Sequence, residues 1–452
     1  MFLFGILLLL CISSQADITA GAYQIHYVKT TDASPCPNDH HIVQCRTLTW
    51  YSNNMNTSFT SNTEMLFQEG THKLDKFIKI GNRHNLTMAG NGSASLQCLH
   101  GNAPIEPTSI IKCVGQTNNT GILFFNSSKI SVLNLKIEFC SGFYSLHDNK
   151  LSAGALVFNF TMDVSLNGVV ISNAKGYGLH ANNIHGHNEV LNSAFLSAKV
   201  QANVHDSGNA IFYFGHELHT VLVVNSSWFM YGETNYHYGA AGGLNVFIHT
   251  PGVRVVISNI TCQGNNGING GNLALFLVAF AVNASSISVE NSRIMDGRAT
   301  KGGGLRFWSQ YYKPALIKRH YNNIIITHDV HHVLQITNTR FHNNSVRQTG
   351  GAMYMAFYNN NTIMSFDGIL RHVTIRNCTF SENIGNGAAM EIIQHSLSDH
   401  HMTPMFRTSI ESSTFTNNYI PLNIDGPILD FISVEVSLII VHFAEVIAPV
   451  YH

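Results

Sequence analysis

One short motif recurs along most of the chain and dictates its architecture. In the copy Ile375-Arg376-Asn377-Cys378-Thr379-Phe380 it reads aliphatic, any residue, Asn, any two residues, large apolar. With the Asn as reference, copies fall at Asn134, Asn167, Asn192, Asn225, Asn259, Asn291, Asn338 and Asn377, and at Ser412 with serine in the Asn place. The intervals run from 25 residues (Asn167 to Asn192) to 47 (Asn291 to Asn338). Self-similarity at such a period means stacked units that bury a shared core, not one globule.

Two residues before the reference stand Val132, Ser165, Val190, Val223, Ile257, Val289, Ile336, Ile375 and Ile410, aliphatic in every copy but one. Three residues after it stand Ile137, Val170, Phe195, Trp228, Cys262, Ile294, Phe341, Phe380 and Phe415. This is a period of two, the rhythm of a strand that turns alternate side chains inward. Glycines such as Gly243, Gly271, Gly304 and Gly351 follow the copies and lead into apolar runs like Leu273-Ala274-Leu275-Phe276-Leu277. Each unit therefore holds at least two strands joined by turns. The expected fold is all-β, with parallel strands stacked coil upon coil ~4.8 Å apart. An Asn between two inward positions is expected in the interior, bonded to the Asn of the coils above and below as a structural ladder.

Charged residues are 11% of the chain and the formal net charge is -1. That excludes a basic field for nucleic acid or anionic membrane. Phe2 to Ile12 is an apolar run followed by Ser14-Gln15-Ala16, so residues 1–16 read as a secretory signal. Twelve Asn-x-Ser/Thr sequons agree with a secreted, extracellular glycoprotein; those at the ladder positions Asn225, Asn259 and Asn377 are expected to stay unmodified inside the stack. No membrane span is expected, because Pro427 to Val450 carries Asp430, Glu435, His442 and Glu445. Cys36 with Cys45 and Cys98 with Cys113 are close enough in sequence for disulfides, and Cys262, at an apolar repeat position, reads as a buried thiol. Residues 17–129 read as an N-terminal cap, with a short helix starting in Cys45 to Tyr51 plus strands, and the first irregular coils; Tyr23 to Gly90 lacks the repeat. Residues 130–423 are the regular coils, with a long loop at 310–332. Residues 424–452 read as a cap or a truncated further coil, whose open edge would favour self-association.

Ile375 to Phe380, Asn343-Asn344-Ser345 before Gly350-Gly351-Ala352-Met353-Tyr354, and Asn265 before Gly270-Gly271-Asn272-Leu273 resemble the right-handed parallel β-helix repeats of the pectate-lyase-like superfamily. The Cys45 to Trp50 segment and the Gly-Gly coils also resemble secreted β-helix proteins of sponges. The resemblance implies a right-handed solenoid over the mature chain. It leaves function open, because the fold carries lyases, hydrolases, adhesins and binding proteins.

Hydrolases of this fold place two or three carboxylates on neighbouring coils; its lyases use acidic calcium ligands with an Arg or Lys base. The corresponding catalytic candidates are Asp296 and Glu382, in one column two coils apart, with Arg293 and Arg340 nearby. The superfamily's hydrolase motifs are absent as a set; His185-Gly186-His187 lacks acidic partners. No metal or cofactor is expected, calcium entering only under the lyase reading. His216 and His219 are three apart on a strand and point to opposite faces. Ligand-binding candidates are aromatic: Tyr231, Tyr236, His237 and Tyr238 with Glu233 in one Gly-rich turn, and Trp308, Tyr311 and Tyr312 about two coils on. Flat rings beside polar groups suit sugar stacking; packing of loops onto the coil is the equal alternative. The preferred reading is a secreted non-catalytic recognition or matrix module for carbohydrate or an extracellular protein. The competing reading is a polysaccharide lyase or glycoside hydrolase.

Overall fold

The computed structural model describes residues 23–58, 60–91, 107–114, 120–141, 154–199, 208–215, 219–234, 241–279, 285–311, 332–359, 371–396, 406–420, 429–432, 435–439 and 442–444. The expected signal segment, Cys98, Tyr236, His237, Tyr238, Tyr312 and most of the 310–332 loop lie outside them. The fold is a right-handed parallel β-helix, the hand that parallel crossovers take. Each regular coil gives one strand to each of three long sheets. In one coil these are Ser286–Glu290 (sheet A), Arg293–Met295 (sheet B) and Leu305–Tyr311 (sheet C), each in register with its neighbours. Sheets A, B and C hold 14, 12 and 11 strands, and a three-stranded sheet D (Arg298–Lys301, Ser345–Thr349, Ile384–Asn386) follows sheet B.

Pairing extends past the copies of the motif at both ends. Gln24–Lys29, Thr63–Phe67 and His84–Gly90 already belong to sheet A, and Leu429–Ile432, Glu435–Ile439 and His442–Ala444 continue sheets C, A and B. A helix, α1 (Leu48–Ser58), follows strand Ile42–Thr47, burying Leu48 and Tyr51.

The A-to-B corner corrects the motif. Its first residue has left-handed φ in every regular coil: Asn134, Gly168, Asn192, Ser226, Asn259, Asn291, Asn338, Asn377 and Ser412. Asn167 pairs with Leu133 and Leu191, and Asn225 with Leu191 and Ser258, so both stand one residue ahead of the corner. The inward residues of those coils are Leu166, Ile171, Val224 and Phe229, all buried, in place of Ser165, Val170, Val223 and Trp228. The reference Asn column is also not interior. Asn134, Asn167, Asn192 and Asn225 are half-buried, while Asn259, Asn291, Asn338 and Asn377 are exposed. A left-handed corner residue, which Asn tolerates, directs its side chain away from the core. Some of these amides pair on the outside: Asn192 Nδ2 donates to Asn167 Oδ1 at 3.0 Å, Asn259 to Asn225 at 3.0 Å and Asn338 to Asn291 at 3.1 Å. The stack therefore gives no reason for the sequons at Asn259 and Asn377 to stay unmodified.

The interior ladder is another column, beyond the second corner. Asn209, Asn265, Asn272, Asn344, Asn383 and Asn418 are buried and joined in series, each Nδ2 donating to the next Oδ1 at 3.0, 2.7, 3.1, 3.0 and 2.9 Å. Each amide also donates to a backbone carbonyl, as Asn383 does to Phe341. Two coils carry glycine at the ladder position, Gly232 and Gly297. There the rung comes from the start of a sheet C strand, Asn209 or Asn272, lying where a Cβ would be. Large residues stack beside it, including Phe341 on Phe380 (4.9 Å) and Phe380 on Phe415 (4.7 Å).

Cys36 bonds Cys45 as expected, but Cys113 bonds Cys140 rather than Cys98. Cys113 ends strand Ser109–Cys113, Cys140 follows its sheet B neighbour Lys136–Glu138, and their Cα atoms are 5.0 Å apart. Coil stacking, not sequence distance, sets the partner. Cys262 and Cys378 are buried free thiols; burial pushes both up in pKa, Cys378 to about 12.

The two asparagine columns are separable by isosteric replacement. Asn383→Asp removes two buried donors and should lower unfolding free energy by about 3 kcal/mol or more. Asn291→Asp keeps an exposed acceptor and should stay within about 0.5 kcal/mol, both read by chemical denaturation. Equal losses would contradict this assignment. Burial also lowers the pKa of His26, His72 and His249. The unfolded chain then binds more protons than the native one, so stability should fall as pH drops below about 6.5. A melting temperature rising from pH 7.5 to pH 5 would refute it.

Candidate functional site

Outward residues separate the three faces. On sheets A and B they include exposed charges, such as Arg254, Arg293 and Arg340. On sheet C much of the outward face is itself buried: Asn245, Ala274, Tyr354, Ala356 and Glu391 are at most 4% exposed. Its strands accordingly read as near-continuous apolar runs, the pattern of a sheet covered on both sides. In register, one outward column runs Asn245, Ala274, Arg306, Tyr354, Glu391, with Asp430 at the next register position. The adjacent column runs Tyr213, Phe247, Phe276, Trp308.

Aromatic rings follow the second column. Phe247 stacks on Phe276 with centroids 4.3 Å apart, and Trp308 meets Phe276 edge-on at 5.8 Å and Tyr358 at 5.6 Å. Phe247, Phe276 and Trp308 belong to a cluster separate from the main core. Arg306 lies between the columns, its guanidinium carbon 5.8 Å from the Phe276 ring centre and 5.9 Å from that of Tyr354. Lys301 Nζ is 5.0 Å from the same Tyr354 ring. Arg306 Nε and Nη1 are buried without a hydrogen-bond partner. Burial lowers the Arg306 pKa, opposed by Tyr354 and Tyr358; burial, then Tyr358 and Glu391, raises that of Tyr354. The face thus holds buried guanidinium nitrogens without a hydrogen-bond partner beside aromatic rings, donors that an oxygen-rich or anionic group could satisfy if it reached them.

The sequence-derived candidates do not converge. Trp308 belongs to sheet C, and Tyr311 ends its strand. Tyr231 and Glu233 are exposed at the corner after sheet B, where Tyr231 covers Gly264. Asp296 and Glu382 lie in that same corner column, both with left-handed φ. The Asp296 carboxylate accepts from Gln263 (2.9 Å) and Asn343 (2.8 Å); Glu382 is 3.8 Å from His342. Arg293 and Arg340 are adjacent on sheet B. One grouping of metal-type donors occurs among the described residues, Asp39, His40 and His41, all exposed in the N-terminal loop and outside sheet C. Sequence reasoning missed Arg306, Tyr354 and Glu391. Their signal is the outward residue just after the first large apolar one beyond each glycine-bearing turn: Leu305-Arg306, Met353-Tyr354, Met390-Glu391.

No family model and no curated protein matches the chain. Solved structures with a similar fold include pectate lyase Pel9A (12% identity, 83% of this chain and 79% of that one, TM-score 0.43). The catalytic domain of a GH87 alpha-1,3-glucanase in complex with nigerose is similar at 9% identity, 92% and 68% coverage and TM-score 0.44. The endo-xylogalacturonan hydrolase from Aspergillus tubingensis is similar at 10% identity, 92% of both chains and TM-score 0.40. The class of fold, a parallel β-helix, rests on the strand pairing of the chain itself.

A buried unpaired cation is a cost to folding. Arg306→Met should therefore raise stability by about 1 kcal/mol or more, seen as a higher melting temperature. A clear fall would mean that the guanidinium is a structural member of the face.

Proposed function

We propose that the protein is an extracellular carbohydrate-recognition β-helix whose binding face is the outward side of sheet C around Arg306 and Trp308, both partly exposed. The observation that carries this reading is Arg306: mostly buried, flanked by rings, with two N–H groups lacking an acceptor. Such donors are retained at a cost that a ligand oxygen offsets, and neighbouring ring faces suit a pyranose. The two disulfides fit an oxidising compartment, and among the described residues no helix is long and apolar enough to cross a membrane. Tyr231 and Glu233, on another face, would act at most as a secondary contact.

A second reading is hydrolysis, favoured by Glu391 and Asp430 at adjacent register positions of the same column. Asp296 and Glu382 remain the alternative acidic pair. On a glycan array the wild type should bind a defined set of saccharides, and Arg306→Met should lose about tenfold or more in affinity while staying folded. Incubation with polyuronate and neutral glycans, with and without calcium, should release neither reducing ends nor unsaturated products. Turnover lost in Glu391→Gln would replace recognition by catalysis on this face. Turnover lost in Asp296→Ala would move the site to the corner column.

A further inference from the structure

On sheet B, Arg293 and Arg340 are direct register partners on adjacent coils, and both are exposed. Thr261 precedes them and Thr379 follows them in the same outward column. Four donors therefore stand in one line along the solenoid axis at steps of ~4.8 Å. Like charges directly opposite one another in a sheet are destabilising. The ion pairs among the described residues involve Lys112, Lys136, His187 and His342, not these arginines. Two carboxylates of the following corner are engaged elsewhere, Asp296 by two side-chain amides and Glu382 beside His342.

We propose that Arg293 and Arg340 form an oxyanion clamp on the outer face of sheet B for a glycan chain bearing sulfate or carboxylate groups. Two guanidinium forks one coil apart can grip one oxyanion bidentately or two successive ones. The threonine hydroxyls on either side extend the line for a polymer running along the axis. A polymer with repeated charges suits this evenly spaced column better than a compact anion does. The clamp is on a different sheet from Arg306, and the two sites are separable by mutation.

The test is binding of the purified full-length protein to immobilised heparin, dextran sulfate, hyaluronan and neutral dextran, with salt elution. The wild type should be retained on at least one charged polymer and not on dextran. Retention on dextran sulfate alone identifies sulfate as the recognised group, and on hyaluronan alone carboxylate. Arg293→Ser with Arg340→Ser should lose about tenfold or more in affinity, while Arg254→Ser, at an exposed arginine of sheet A, keeps it. The melting temperature of the double variant should equal or exceed that of the wild type, since repulsion is removed. Unchanged retention in the double variant, a markedly lower melting temperature, or equal retention of single-stranded DNA would each overturn the clamp.

Discussion

The buried amide ladder from Asn209 to Asn418 is the interaction on which the coil geometry depends. At the corner leaving sheet B the backbone turns inside the stack, where unpaired polar groups are costly. One asparagine per coil answers this, its oxygen accepting from a backbone N–H and the neighbouring amide, as Asn383 does from Asn344, and its nitrogen donating to a carbonyl and the next rung. At Gly232 and Gly297 the ladder does not break, because Asn209 and Asn272 reach in from sheet C. The first corner has its own polar spine. Ser193 and Ser227 donate to carbonyls of their own coil and accept N–H groups from the preceding one, and Cys378 shares that column.

How far the sequence could be read follows from this arrangement. The period of two and the recurring Asn made stacked parallel strands legible, because an inward apolar residue on each side of a left-handed corner is a local requirement. The register at Asn167 and Asn225 was not legible by the same route. Gly168 and Ser226 take the corner there, and an Asn one residue early still pairs across coils. The inner ladder escaped because its rungs come from two offsets, six residues past the corner in Asn265, Asn344, Asn383 and Asn418, and a strand start in Asn209 and Asn272. Cys113 joined to Cys140 escaped because the partner is set by sheet B adjacency. The Arg306 face is harder still. Arg306, Tyr354 and Glu391 come from three coils of unequal length, and only strand register places them together.

The three long sheets share one backbone plan but meet different surroundings. Inward columns of all three fill a common core, leaving their outward columns free to differ. On sheet A and on the later coils of sheet B, as at Arg254, Arg293 and Arg340, outward residues are solvated, so a change there costs little and charge is tolerated. On sheet C it is buried around Tyr354 and Glu391, so each polar group must find a partner or be held at a cost.

On a scaffold whose corners are tied by amide and hydroxyl hydrogen bonds, two groups of arginines stand apart. Arg306 and the Arg293–Arg340 pair both oppose stability, through desolvation in one case and repulsion in the other. They differ in what a ligand would gain. At Arg306 a contact would be desolvated and little screened by salt, and would set how long a ligand stays. At Arg293 and Arg340 it would be exposed and weakened by ionic strength, and would set how fast a charged chain arrives. Both lie on strands whose register is fixed by neighbours on either side, so the backbone that carries them is already ordered. Binding energy on either face is then spent on contact rather than on folding the site.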